Sequence, residues 1–185
     1  MNPPNTSREE IMRVSRKIVS EKGLPALNMR ALAKECGIAL GTLYNYYSDK
    51  DELVVAAIES VWQDILEKSA PDSGVRFSQY VTQTYAHIIE RLKDYPDFLA
   101  AHSISVAGSA KGKARGMMER CFGKIRAELH AALLADKNVD RGIFSETFRE
   151  ENLIGHILDT ITISIIKGKS DCAALTEILD RLLYR

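Results

Sequence analysis

Cysteine is scarce and unpaired: Cys36, Cys121 and Cys172 are odd in number, far apart and without a C-x-x-C spacing. That rules against a disulfide framework or a zinc ribbon and suits a reducing compartment. Long apolar runs are missing too, since none approaches the roughly eighteen residues that span a bilayer. The opening MNPPNTSREE lacks the basic-then-apolar order of a secretory signal. The expected location is the cytoplasm, with no membrane partner. Net charge is also absent, with 25 basic residues against 25 acidic ones. The sum conceals a split. Residues 1–50 carry eight Lys/Arg and five Asp/Glu, while the remaining 135 carry 17 and 20. A mildly basic head on a mildly acidic body fits local nucleic-acid binding.

The signatures of catalysis are lacking as well. There is no G-x-G-x-x-G, Walker loop, G-x-S-x-G or H-E-x-x-H. His87 and Glu90 have an i, i+3 spacing, but no second such pair exists, so no metal site is expected. His87, His130 and His156 lie off their apolar stripes and read as solvated. No cofactor and no enzymatic activity are expected. No internal repeat or low-complexity tract occurs. What remains is an ordinary globular composition, 45% hydrophobic and 27% charged, in 185 residues.

Nearly every segment reads as helix. Thr6 with Glu9, or Ser7 with Glu10, offers a capping box, and Ile11, Val14, Ile18 and Val19 follow at helical spacing. EKGLP ends this helix, with Gly23 at the left-handed position and Pro25 beyond it. Asn28 caps a second, short helix through MRALAKEC, Gly37 breaks it, and a third runs over about 40–47. Two short helices around a tight Gly-containing turn form a helix-turn-helix pattern. A longer helix is predicted from Ser48, capped reciprocally by Asp51, to about Ser69. APDSG breaks the chain at 70–74, and the next helix spans about 75–94, with Phe77, Val81, Tyr85, Ile88 and Leu92 on one face. YPDF restarts the chain at 95–98. AGSAKGKARG at 107–116 reads as a kink or loop, followed by an amphipathic helix through Met118, Cys121, Phe122, Ile125, Leu129 and Leu133. The last two helices fall within about 145–184, the second capped by Ser170. Leu153, Ile154, Ile157, Leu158, Ile161 and Ile165 cover one face of the first, with Ile163 and Ile166 outside it. Leu175, Ile178, Leu179, Leu182 and Leu183 line the second. A helix apolar nearly all round must be covered by more than its own body. The cover is a second copy of the chain or the monomer's own core.

The stretch GTLYNYYSDKDEL, residues 41–53, crowds three tyrosines and an asparagine together. At about 100° per residue, Leu43 and Tyr47 fall side by side on the buried edge of the third helix. Asn45 points the opposite way, near Gly41 and Thr42, with Tyr44 and Tyr46 on the flanks. Asn matches the N6/N7 edge of adenine in a major groove. Hydroxyls of Thr42, Tyr44 and Tyr46 suit the phosphates on each side, and so does the backbone at Gly41. Lys50 opens the next helix, where the dipole disfavours its charge unless an outside anion is near.

These residues carry a resemblance. LNMRALAKECGIALGTLYNYYSDKDELVVAAI, residues 27–58, resembles the helix-turn-helix of the TetR/AcrR family of bacterial transcriptional regulators, and the likeness extends back through the first helix. The resemblance implies an all-α fold: a three-helix DNA-binding head (1–50) joined to a larger helical bundle for ligand binding and dimerisation (51–185), about nine helices in total. It implies DNA contacts at Arg30, Leu40, Gly41, Thr42, Tyr44, Asn45 and Tyr46, with Lys50 on a phosphate. Ala39 stands where the family often has a capping Ser or Thr. Leu40 stands where a polar or basic residue is frequent, and it either meets a thymine methyl or packs beside Leu43.

The implied partners are a palindromic double-stranded DNA operator, a small-molecule effector and a second copy joined through the last two helices. The protein would then be a repressor released by its effector, cytoplasmic and held at the nucleoid by DNA. Tyr85, His102 and Phe122 are candidates for the effector-pocket wall. Competing classes are an architectural or cell-cycle DNA-binding protein without an effector and, more weakly, an all-α enzyme.

Overall fold

Ser7 opens the first helix: its side chain accepts from the Glu10 N–H at 3.1 Å. Thr6 is not the cap. The box closes on one side only, because the Glu10 carboxylate is taken by Arg13 instead, at 2.6 and 2.9 Å. The computed structural model describes residues 6–67, 74–100 and 111–184, the last stretch with side chains from 116 onward. Among them every regular element is helical: α1 (Arg8–Lys22), α2 (Met29–Glu35), α3 (Leu40–Tyr44), α4 (Lys50–Leu66), α5 (Phe77–Leu92), α6 (Lys111–Ala135), α7 (Glu150–Ile166) and α8 (Ala173–Leu183). Short 3-10 turns lie at Leu24–Ala26 and Arg141–Ile143, and a helical turn occupies 98–100. No described helix is long and apolar enough to cross a membrane.

Local punctuation explains most boundaries. Gly23 ends α1 at φ +78° and Gly37 ends the α2 turn at φ +65°, a region that disfavours any Cβ. The Asn28 side chain accepts from the Ala31 N–H at 2.9 Å. Several boundaries differ from the sequence reading. At α4 the cap is Asp49, accepting from the Glu52 N–H at 2.7 Å, and Glu52 reaches back to the Ser48 N–H at 2.9 Å. The cap is thus built from Asp49 and Glu52, with the return bond to Ser48, and not from Ser48 with Asp51. Residues 111–116, read as a kink or loop, are helical, and the buried residue opening the α6 stripe is Met117 rather than Met118. α7 begins at Glu150, not Ser145. There the Ser145 side chain accepts from the Phe148 N–H and holds a local turn that competes with helix. At α8, Asp171 accepts from the Ala173 N–H at 3.0 Å, where Ser170 was the expected cap. ITISII, alternating like a strand, lies within α7. Residues 70–73 and 107–110 lie outside the described residues.

The chain divides into two compact units: Met1–Ile65 with Arg91–Cys121, and Leu66–Glu90 with Phe122–Arg185. In the first, Ile11, Ile18, Val19, Leu32, Leu43, Tyr47, Leu53 and Val61 are buried. Asp64 of α4 draws Arg91 and the Tyr95 hydroxyl (2.8 Å), and Ser20 of α1 donates to the Asp94 carbonyl at 2.6 Å. In the second unit, Phe77, Val81, Tyr85, Leu129, Leu133, Ile154, Ile157 and Leu179 form the core. Its polar centre is Asp136, which accepts from the Phe77 N–H (2.8 Å) and the Tyr184 hydroxyl (2.7 Å) on one oxygen. The other oxygen accepts from the Asn138 N–H at 2.9 Å.

Candidate nucleic-acid interface

The helix-turn-helix stands on three apolar anchors. Leu32 and Ala33 of α2 and Leu43 of α3 are buried, and α2 packs on both α1 and α3. α3 has five residues, not the eight expected. After Tyr44 the chain tightens, with Tyr46 N–H donating to the Leu43 carbonyl, while Tyr47 N–H still reaches that same carbonyl at 3.1 Å. That shared acceptor keeps Tyr47 on the buried side, as the wheel required. Ala39 precedes α3 without a side-chain cap. So short a helix carries little macrodipole, which removes most of the phosphate attraction expected around Gly41.

Most of the site residues taken from the sequence face outward. Arg30, Gly41, Tyr44, Asn45 and Lys50 are exposed, and Leu40 and Thr42 are half-buried. Tyr44 is 49% exposed, an unusual setting for so large an aromatic, so it does not pack away against α1. Nothing lies within 4 Å of where a Cβ on Gly41 would sit, so its backbone borders open space. Asn45 occupies the C-terminal cap of α3 rather than its interior. Lys50 is the first residue of α4, ahead of Asp51 and Glu52. Among the described residues neither Arg30 nor Lys50 has a partner.

Tyr46 is a correction. Its hydroxyl donates to the Thr6 carbonyl at 2.6 Å. A phenol has one proton, and this one is committed, so Tyr46 cannot donate to a phosphate in this conformation. It holds the residue before α1's cap to the segment that follows α3.

Arg8 was missed. Its guanidinium donates to the Tyr46 carbonyl at 3.0 Å, lies 3.5 Å from Glu52 and sits over the Tyr47 ring at 4.9 Å. One side chain therefore ties α1 to the residues after α3 and to the first turn of α4. These partners lie 38 and 44 positions along the chain, beyond the reach of any periodicity.

Of the effector candidates, Tyr85 is buried in the second unit, where its hydroxyl donates to the Lys169 carbonyl at 2.7 Å. Phe122 is half-buried in the same unit, and His102 lies outside the described residues. A cleft of about 670 Å³ occurs elsewhere, among residues of α1 and α4 with Arg120 of α6. The histidines read as solvated differ: only His156 is exposed. The His87 Nε2 is buried without a partner, and the His130 Nε2 lies 3.3 Å from Glu150. Burial pushes all three thiols up, Cys121 to about 11, so none is activated. Among the described residues no cluster of three or more metal-ligating side chains occurs.

Residues 11–57 match the family described as bacterial regulatory proteins, tetR family. An uncharacterized HTH-type transcriptional regulator of Haemophilus influenzae is 33% identical over 95 residues, half of each chain. The HTH-type transcriptional regulator UidR of Escherichia coli K12 is 32% identical over 79 residues, 42% of this chain and 40% of that protein. The chain thus spans half or less of the length of these relatives. A Shewanella sp. PV-4 protein assigned to the tetR family of transcription regulators shares the fold. Its TM-score is 0.51 at 17% identity, covering 88% of this chain and 87% of that one.

Proposed function

We propose a function for a chain whose residues 11–57 match the tetR family of bacterial regulatory proteins: it is a homodimeric, sequence-specific DNA-binding transcriptional regulator. Two heads would enter successive major grooves of a palindromic operator, about one helical turn apart. One observation carries the reading. Tyr44 and Asn45 stand exposed at the end of α3, and Arg30 on α2 and Lys50 at the start of α4 are exposed cations without a partner among the described residues. In this assignment Asn45 reads a base edge, Tyr44 and Thr42 approach phosphates, and Lys50 meets a phosphate whose charge the α4 terminus also favours.

Repression and release by a small-molecule effector complete the proposal and rest on the likeness to the family. An effector that prefers a conformer with the wrong head spacing lowers operator affinity by its differential affinity for the two states. Dimerisation is supported by Ile163 and Ile166 on α7 and Ile178 and Leu182 on α8, all exposed in the single chain.

The test is equilibrium binding to a captured operator and its single-base variants. Asn45→Ala is expected to relax discrimination at one base position by about 1–3 kcal/mol. Lys50→Ala is expected to weaken all sequences alike and to reduce the salt slope by about one. If Asn45→Ala left discrimination intact, the assigned orientation of α3 would be wrong.

A further inference from the structure

The cleft of about 670 Å³ in the first unit falls within the roughly 300–1,000 Å³ range of small-molecule sites. Its lining joins Met12 of α1 to Val55 and Ala56 of α4, which form its apolar part. Around these, three arginines (Arg8, Arg16, Arg120) are matched by three glutamates (Glu9, Glu52, Glu59). Arg120 is held by both Glu59 oxygens at 2.8 Å, and Arg16 donates to Ser60 at 2.5 Å. Three positive and three negative side chains leave the lining without a net charge for an entering ion to recognise. Tyr47 also lines the cleft and is 0% exposed, and its hydroxyl proton has no acceptor, since the adjacent Arg8 guanidinium can only donate. A buried hydroxyl without an acceptor is an exception that calls for a ligand or another explanation. The neighbouring Tyr46 hydroxyl, by contrast, has its acceptor.

We propose that this cleft is a binding site for an uncharged amphipathic organic molecule, its apolar body on Met12, Val55 and Ala56 and a carbonyl-type oxygen accepting from the Tyr47 hydroxyl. To reach that hydroxyl the ligand displaces Arg8, whose guanidinium lies over the Tyr47 ring. Displacement also takes Arg8 from the Tyr46 carbonyl, the tie between α1 and the residue after Asn45. Occupancy thereby loosens the segment that presents Asn45. The effect on DNA rests on the function proposed above, whereas the binding does not.

A matched pair of probes tests it: acetophenone, with a carbonyl acceptor, and ethylbenzene, of the same shape without one. Each is titrated into the isotopically labelled full chain while backbone amide shifts are followed. Acetophenone is expected to move amides at 8–16, 47 and 52–63 and to bind about fivefold more tightly than ethylbenzene, the worth of one net hydrogen bond. Tyr47→Phe keeps the ring, removes the orphaned hydroxyl and is expected to equalise the two probes. Shifts confined to other residues, equal affinities in the wild type, or a ketone preference surviving in Tyr47→Phe would each overturn the site. Operator binding by the unliganded protein is measured separately. Its absence beside an intact ketone site sinks the regulator reading alone, and the converse result sinks the site alone.

Discussion

Asp136→Ala is expected to lower the unfolding free energy by about 3–5 kcal/mol. Asp136 is only 5% exposed and accepts from the Phe77 N–H, the Tyr184 hydroxyl and the Asn138 N–H. Phe77 is the first residue of α5, so this carboxylate caps that helix from 59 residues away. Alanine leaves the buried Phe77 N–H and the half-buried Tyr184 hydroxyl without their acceptor, and each loss costs about 1–3 kcal/mol. The ionisation state follows the same geometry. Burial alone would raise this carboxyl, but the hydrogen bonds from Tyr184, Phe77 and Asn138 outweigh it and hold it below its usual value. A depressed folded-state pKa gives stability that is full above the unfolded value, near pH 4, and is lost as pH falls through the lower folded value. Urea melts at neutral pH should separate wild type from Asp136→Ala widely, and the gap should shrink in that acid window. A variant as stable as wild type at pH 7 would show that this network contributes nothing.

The double variant Ile166→Glu, Ile178→Glu is expected to weaken self-association by at least about a hundredfold. In the single chain Ile166 is 70% exposed and Ile178 is 60% exposed. Two large aliphatic side chains so open to water, with Ile163 and Leu182 also exposed, have the character of an interface. Under two-fold symmetry each substitution appears twice, placing four carboxylates in one apolar contact. Because both positions are exposed, the fold of each chain should survive, as circular dichroism would record. Sedimentation should give the wild type at twice the 20.7 kDa chain mass and the variant at the chain mass. Operator affinity should collapse with it, since two linked heads gain affinity that one alone lacks. A monomeric wild type, or a variant that still dimerises, would refute the assigned face.

The elements legible in the sequence were those set by neighbours in the chain. Ser7, Gly23, Asn28 and Gly37 act over one to four residues, and each stands where its chemistry required. The burial of Leu43 and Tyr47 was legible for the same reason. Where two local solutions compete, register slipped. SDKDE offers Ser48 with Asp51 or Asp49 with Glu52, and the second pair formed. The third helix was drawn too long because apolar spacing cannot register a turn that tightens after Tyr44. Nor does a sequence announce bonds that span the fold. Tyr46 looked like a phosphate donor until Thr6, 40 residues earlier, claimed its proton, and Arg8 carried no signal at all. The exposure of Tyr44 and Asn45 was therefore readable, and the side chains that hold the segment around them were not.

The central claim is that the exposed end of α3 reads DNA. The most direct measurement is capture of genomic DNA fragments by the purified full chain at about physiological salt, sequenced beside an Asn45→Ala, Lys50→Ala control. The account predicts a single strong palindrome with half-sites about one helical turn apart, recovered by the wild type and lost by the control. Diffuse capture without a shared motif, or the same palindrome recovered by both proteins, would contradict it.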